Sequence, residues 1–196
     1  MLIACNGFKD CTKVVTNYSL MKNLKFYSLV VLGALVFLSF YSNTAKSTLG
    51  LEVGDKIPNI KTASIDGKPF DLKNLKGKMV VVDFWASYDA SSRIENFEKS
   101  NLIKKFKTEK FINGDGLSVV SISFDRFKSP LKQAIDRDGL GEATHICDYK
   151  GVDSELAHAF TTSTPIHFLV DGNGFIVAKS SHVADITAKL KSLTRL

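Results

Sequence analysis

The side chains that could carry chemistry in this 196-residue chain gather around one short segment. Asp83 lies at the end of an apolar run, and Asp89 and Ser92 follow it where a helix is predicted to begin. Asp89 is of a type favoured at helix N-caps, and Ser92 with Glu95 has the spacing of a capping box. A carboxylate at that position is stabilised by the free N–H groups and the dipole of the helix. We therefore expect Asp89 to cap this helix.

Thiol chemistry in the predicted folded domain rests on one residue. Cys5 and Cys11 precede an apolar export-type segment, so only Cys147 remains and no disulfide can form within the domain. Cys147 ends a short apolar run typical of a strand. If that strand is parallel to its neighbours, its end faces the same side as the Asp89 loop. Cys147 is then either a small buried apolar residue or a reactive monothiol. Both roles stay open, since reactivity requires exposure and a lowered thiol pKa.

Histidine spacing favours neither a metal site nor a hydrolase. The chain has no HxxxH-type pair, and a single domain cysteine does not complete a zinc site. Asp89, Ser92 and His167 could be drawn as a triad, but nothing in the sequence places a base beside the hydroxyl. We predict no metal and no cofactor. The four histidines are His145, His158, His167 and His182.

A strand and the helix after it must position Asp83 and Asp89. Residues 80–85 are β-branched and aromatic, as in a buried strand, and residues 117–124 predict a second, central strand. Asp66-Gly67 and the segment 171–174 are typical of hairpin turns. Alternating strands and helices indicate an α/β sheet flanked by helices.

These motifs, in this order, resemble the thioredoxin superfamily, in particular the exported thiol–disulfide oxidoreductases of the TlpA/ResA type. That family carries a phrase like VVDFWASWCxxC at its first strand–helix junction, where this chain reads VVDFWASYDASS. The blocks GDKIP, DGKPFDL and STPIHFLVDGNGFIV also resemble family segments. The resemblance covers about residues 52–196. It implies a thioredoxin-like fold, with a central mixed sheet flanked by helices and an N-terminal β-hairpin extension.

Departures from the family pattern fall at its active site. Asp89 and Ser92 stand where the family has its two cysteines, so Asp-Ala-Ser-Ser replaces CxxC. Dithiol exchange needs an attacking thiolate and a resolving thiol, so the resemblance implies a member without that activity. Asp83 matches the family's buried proton-relay acid, and it costs free energy there unless it is hydrogen-bonded. Tyr88 replaces a tryptophan. Asp89 has two open interpretations. It caps the helix only, or its carboxylate also acts as a permanent mimic of the thiolate.

A polypeptide-binding role follows from the resemblance. In the family, extended polypeptide lies across a loop with a cis proline, which here is Pro165. Such docking uses backbone N–H and C=O groups, and we expect Trp85, Tyr88, Thr164 and Pro165 to form the groove. The leading hypothesis is a redox-inactive module that binds a polypeptide client or an envelope protein. The alternatives are a monothiol oxidoreductase using Cys147 and a structural, membrane-tethered domain, so whether the protein is an enzyme stays open.

The charge of the chain does not indicate a nucleic-acid partner. The net charge is +6 overall, and the 22 basic and 19 acidic residues from Lys46 onward leave only +3. No nucleic-acid recognition motif accompanies this charge.

The N-terminus predicts export. Lys22 and Lys25 precede sixteen uncharged, mostly apolar residues, from Phe26 to Tyr41. This is typical of a signal peptide and somewhat short for a membrane span of about 20 residues. We predict an extension or misassigned start over residues 1–20, a signal peptide or membrane anchor over 21–45, a linker over 46–51 and the thioredoxin-like domain over 52–196. The domain should then lie in the periplasm or cell envelope, anchored to the inner membrane if the segment is not cleaved.

Overall fold

The computed structural model describes residues 48–160 and 163–195. Nine strands and four α-helices succeed one another along these ranges. The strands are β1 (Lys61–Ala63), β2 (Pro69–Asp71), β3 (Met79–Trp85), β4 (Lys110–Phe111), β5 (Gly114–Asp115), β6 (Leu117–Ser123), β7 (Thr144–Ile146), β8 (Ile166–Val170) and β9 (Ile176–Ser180). The helices are α1 (Ala90–Phe106), α2 (Lys128–Arg137), α3 (Glu155–Phe160) and α4 (Val183–Leu193). Short 3₁₀ turns span Leu72–Leu75 and Gly151–Asp153.

A mixed sheet of five strands forms the centre of the domain, in the order β7-β6-β3-β8-β9. β3 is parallel to β6, β6 is parallel to β7, and β8 runs antiparallel to both β3 and β9. All seven residues of β3 are buried, as its β-branched and aromatic composition predicts. The register places Asp83 opposite Ser121 on one side and His167 on the other. Residues paired in this way project toward the same face of the sheet.

Alternate residues of β3 divide the core into two layers. Val80, Val82 and Phe84 pack in one cluster, where the ring of Phe84 lies 4.7 Å from that of Phe160, centroid to centroid. Met79 and Val81 face the opposite side, where they pack with apolar residues of α1 and α4. Asp83 and Trp85 continue this second row, so β3 directs a carboxylate under α1.

The predicted hairpins and strands are present. β1 and β2 pair through a turn that contains Asp66 and Gly67, with Gly67 at φ 77°. β8 and β9 are joined by a turn in which Oδ1 of Asp171 accepts the N–H groups of Asn173 and Phe175. The strand expected over residues 117–124 is β6, which is flanked on both sides.

Among the residues that the structure describes, no helix has both the length and the apolar character that a membrane span requires. The predicted signal peptide or anchor over residues 21–45 lies outside the described residues, as do Cys5 and Cys11. The division of the chain drawn from the sequence therefore stays a prediction.

Candidate functional site

Asp89 is the N-cap of α1. Its backbone is extended, and its carboxylate accepts the N–H groups of Ser91 at 3.1 Å and Ser92 at 3.2 Å. The Ser92 hydroxyl donates to the same carboxylate at 2.6 Å. Burial alone would raise the pKa of Asp89, but the hydrogen bonds from Ser92, the Ser91 N–H and Thr164 hold this pKa below its usual range. The site therefore carries a stable anion where the resemblance places an attacking thiol.

The capping box predicted from Ser92 and Glu95 is wrong. Ser92 is the third residue of α1 and is buried beneath Asp89, which does the capping. Glu95 instead accepts the N–H of Val183 at 2.7 Å and lies 3.1 Å from Nδ1 of His182, both at the start of α4. Because α1 already has its cap, the Glu95 carboxylate is available to a different helix.

The loop between β3 and α1 is held by a buried acid that follows β6. Asp125 accepts the backbone N–H of Ser87 at 2.9 Å and the hydroxyls of Ser87 and Ser123. The next residue, Tyr88, is 69% exposed and donates its hydroxyl to the carbonyl of Phe124 at 3.4 Å. The loop thus presents an aromatic ring at the surface from a fixed backbone.

Trp85 does not line a groove, and this part of the predicted site is wrong. Its side chain is fully buried, in a cluster with Leu131 and Cys147, and Nζ of Lys99 lies 5.5 Å from the ring centroid. Trp85 is the last residue of β3, and the strand alternation that points Asp83 under α1 points Trp85 the same way. Its aromatic character serves packing.

Thr164 and Pro165 lie beside Asp89, at the entry to β8. Both residues are partly exposed, and the peptide bond between them is cis. The Thr164 side chain hydrogen-bonds to the Asp89 carboxylate. The structure therefore brings Asp89, Ser92 and Thr164 together, with Pro165 next to them along the chain.

Asp83 is fully buried and is surrounded by donors. One carboxylate oxygen bonds to Nζ of Lys99 and accepts the Ser121 hydroxyl at 2.9 Å. The other lies 2.8 Å from Nδ1 of His167, a short contact without hydrogen-bond direction. Burial raises the pKa of Asp83, but the Lys99 charge and the His167 contact outweigh it and bring this pKa to about 2. Asp83 is a permanent carboxylate in an ion pair, which does not suit it as a proton relay at neutral pH.

Lys99 begins a chain of polar contacts that runs along α1. Its Nζ donates to the side-chain carbonyl of Asn96 at 2.8 Å, and the Asn96 amide donates to Asp138 at 2.7 Å. Two guanidinium nitrogens of Arg93 each lie 2.6 Å from Asp138, which ends α2. Sequence reasoning missed these residues. The usable signal was their spacing, because Ser92, Asn96 and Lys99 share the buried stripe of α1.

Cys147 lies directly after β7 on the same side of the sheet as the Asp89 loop, as the sequence predicted. It is 9% exposed, its thiol donates to the carbonyl of Asp125 at 3.3 Å, and its sulfur accepts the N–H of Tyr149 at 3.4 Å. Burial raises the pKa of Cys147 to about 11. The thiol is therefore protonated at neutral pH and is a poor nucleophile.

The geometry does not assemble a hydrolytic triad. His167 contacts Asp83 inside the core, while the Ser92 hydroxyl donates to Asp89. In the ranges 48–160 and 163–195, no three His, Cys, Asp or Glu side chains are grouped to hold a metal ion.

Comparison with known proteins places this geometry in context. The family model described as redoxin matches residues 52–195. The chain is 25% identical over 153 residues to the thioredoxin-like protein YneN of Bacillus subtilis, covering 77% of this chain and 83% of the relative. It is 23% identical over 149 residues to the thiol-disulfide oxidoreductase ResA of Bacillus thuringiensis, covering 76% of this chain and 81% of that protein.

Solved structures give the same picture of the fold. The thioredoxin domain of a thiol-disulfide oxidoreductase from Bacteroides vulgatus superposes with a TM-score of 0.63 and 26% identity, covering 73% of this chain and 98% of that one. A thiol:disulfide interchange protein from Bacteroides sp. gives a TM-score of 0.60 and 26% identity, covering 74% and 91%. The fold is thioredoxin-like, as the sequence resemblance implied.

Proposed function

The chain belongs to the redoxin family, whose relatives include thiol–disulfide oxidoreductases, and we propose that this member binds extended polypeptide without dithiol exchange. Its binding surface is the one formed by Tyr88, Thr164 and Pro165 beside the Asp89 cap. The polypeptide is a client or an envelope protein partner.

The state of Asp89 is the observation that carries this proposal. In thiol–disulfide exchange a thiolate attacks a disulfide sulfur, a mixed disulfide forms, and a second thiol displaces it. The Asp89 carboxylate accepts two backbone N–H groups and the Ser92 hydroxyl, and the Thr164 side chain also hydrogen-bonds to it. Neither Asp89 nor Ser92 contains sulfur, so neither can form the mixed disulfide that this exchange requires. The anion and the helix cap are kept while the redox chemistry is lost.

The environments of Cys147 and Asp83 support the same conclusion. A monothiol mechanism would need a thiolate at Cys147, but the pKa raised to about 11 by burial leaves little of it at neutral pH. An acid that relays protons would need a pKa near the working pH, and the pair with Lys99 keeps Asp83 ionised.

Exposed apolar side chains next to the cap support binding. Ile94 and Phe97 are 71% and 66% exposed on the first two turns of α1, three residues apart and therefore on one face. Together with the exposed ring of Tyr88 they flank Asp89 along the chain. Aromatic and aliphatic side chains that stay in water at a fixed position are characteristic of interaction surfaces. The predicted export segment over residues 21–45 supports a location in the cell envelope.

Two measurements on the full chain test the proposal. The first is binding of reduced, carboxymethylated α-lactalbumin, an unfolded polypeptide that has no free thiol, followed by fluorescence anisotropy. We expect Tyr88→Ala and Phe97→Ala each to weaken binding roughly fivefold, the effect of about 1 kcal/mol at an interface. Ile112→Ala is the matched control, since Ile112 is an exposed apolar residue on the β4–β5 turn. Binding that neither Tyr88→Ala nor Phe97→Ala weakens, or that Ile112→Ala weakens equally, contradicts the proposed surface.

The second measurement is reductase activity toward insulin. We expect none from the natural chain and measurable activity from the double substitution Asp89→Cys with Ser92→Cys, which shows that the scaffold is sound. Activity in the natural chain that disappears in Cys147→Ala would overturn the proposal in favour of a monothiol enzyme.

A further inference from the structure

A cavity lies at the end of the sheet opposite Asp89. β3 runs toward the Asp89 loop, so Val80 is at its far end, and Val170, its partner in the register, ends β8 there. A cavity of about 270 Å³ opens beside these two residues. It lies between residues 56–59, the 3₁₀ turn Leu72–Leu75 with the following Lys76, and the β8–β9 turn. None of its lining residues belongs to the surface around Tyr88 and Thr164.

The floor of this cavity is apolar and preformed. Ile57, Leu72, Val80 and Val170 are buried members of one core cluster, and Leu75 packs against them half-buried. Backbone hydrogen bonds hold the walls. The N–H of Ile57 donates to the carbonyl of Gly174 at 3.0 Å, and the N–H of Gly77 donates to that of Gly172 at 2.9 Å. A cavity fixed in this way needs little rearrangement to receive a ligand.

The rim of the cavity is basic, although the Asp71 carboxylate beside it interacts electrostatically with Lys73. Lys56, Lys73 and Lys76 line it, and none of the three forms an ion pair within the described part of the chain. The one acidic lining residue, Asp171, is buried; its Oδ1 accepts the N–H groups of Asn173 and Phe175, and its Oδ2 accepts the Asn113 side-chain amide at 3.4 Å. The surrounding segment 56–78 is basic as a whole, with six lysines and two aspartates.

We propose that this cavity binds a small anionic amphiphile, a free carboxylate attached to one short alkyl chain or apolar ring. The apolar part lies on Leu75, Val80 and Val170, and the carboxylate meets the lysine rim, which attracts it electrostatically. The volume of about 270 Å³ accommodates one short alkyl chain or one apolar ring. The site is independent of the proposed polypeptide surface.

Octanoate is the probe, and methyl NMR is the readout. The full chain is held in nanodiscs of zwitterionic lipid, so that no detergent competes for the cavity, and the methyl signals of Leu75, Val80 and Val170 are followed. We expect octanoate to shift these signals saturably and neutral octanol to bind more weakly. The double substitution Lys73→Gln with Lys76→Gln should raise the Kd for octanoate about tenfold, because both removed charges face the carboxylate.

The matched control removes two exposed lysines elsewhere. Lys104→Gln with Lys105→Gln on α1 changes the net charge equally, and its Kd should move less than about twofold, since distant sites act independently. Equal weakening in both double variants, octanol binding as tight as octanoate, or shifts confined to other methyl groups would each overturn the proposal. If anionic-lipid nanodiscs shift the same signals without octanoate, the site binds membrane headgroups, and the proposal of a free carboxylate ligand is overturned.

Discussion

Replacement of Lys99 by methionine tests whether the Lys99 charge stabilises the buried Asp83 carboxylate. Methionine keeps most of the volume and the apolar stem that packs near Trp85, and it removes the charge that bonds to Asp83. Asp83 then keeps only the Ser121 hydroxyl and the misdirected His167 contact in a site without solvent. Breaking one half of a buried pair costs about 3–5 kcal/mol, because the remaining charge stays desolvated. That is a large fraction of the roughly 5–15 kcal/mol by which domains are stable.

The pH dependence gives this prediction a sign. In the natural chain the folded pKa of Asp83 is about 2, below its ordinary value of 3.8. The difference contributes about 2 kcal/mol, present above pH 4 and lost as the pH falls from there toward 2. Without Lys99, burial dominates and raises the folded pKa above that of the unfolded chain. Lys99→Met should therefore gain stability relative to the natural chain as the pH is lowered from 7 toward 5.

Urea unfolding followed by tryptophan fluorescence measures both effects. Trp85 is the only tryptophan, so its signal reports the domain even in the full chain. Asp83→Asn combined with Lys99→Met should recover most of the lost stability at pH 7, since no buried charge remains. Lys105→Met, on the exposed side of the same helix, is the control. A loss below about 1 kcal/mol at pH 7, or a double variant no more stable than Lys99→Met, would refute the reasoning.

Three further predictions concern other contacts. Iodoacetamide should alkylate Cys147 about a hundredfold more slowly in the folded chain at pH 8 than in urea, because burial raises the pKa of this thiol from 9.0 to about 11. Mass spectrometry of the modified peptide measures the rate, and equal rates would contradict the burial of Cys147. Asp89→Ala should cost about 1 kcal/mol in urea unfolding through loss of the cap, whereas exposed Ser91→Ala should cost less than about 0.5 kcal/mol. Gly172→Ala should lower the thermal midpoint, because a Cβ would lie 2.5 Å from the Asn113 carbonyl and cost about 1–3 kcal/mol; Gly141→Ala, with open space around it, should not.

The sequence was informative where a local pattern determines the structure. The β-branched run before Asp83 predicted β3, and the residue type of Asp89 predicted the cap of α1, because strand burial and capping depend on neighbours in the chain. The hairpin turns followed from the same kind of local signal. The thioredoxin-like fold then followed from the order of several such motifs.

Predictions failed where a partner lies far along the chain. Glu95 caps α4 through Val183, 88 residues away, and no local motif announces that contact. Lys99 was overlooked because a lysine on a helix is normally solvated, and only the fully buried Asp83 makes its burial favourable. Trp85 was misplaced because the family resemblance assigned it to the groove, whereas its position in β3 directs it into the core. Each failure is a tertiary contact overriding a local expectation.

Residues 93–99 of α1 contact three separate elements: α2 through Arg93, α4 through Glu95 and β3 through Lys99. The solvent-exposed side chains beside Asp89 therefore project from a helix backbone that has little freedom to move. In an association with extended polypeptide, nearly all of the ordering entropy then falls on the partner. In the proposed association, a partner segment that is already stiff and extended in solution should bind more tightly than a flexible segment of the same composition, and the rigid helix would select the partner by its conformational state.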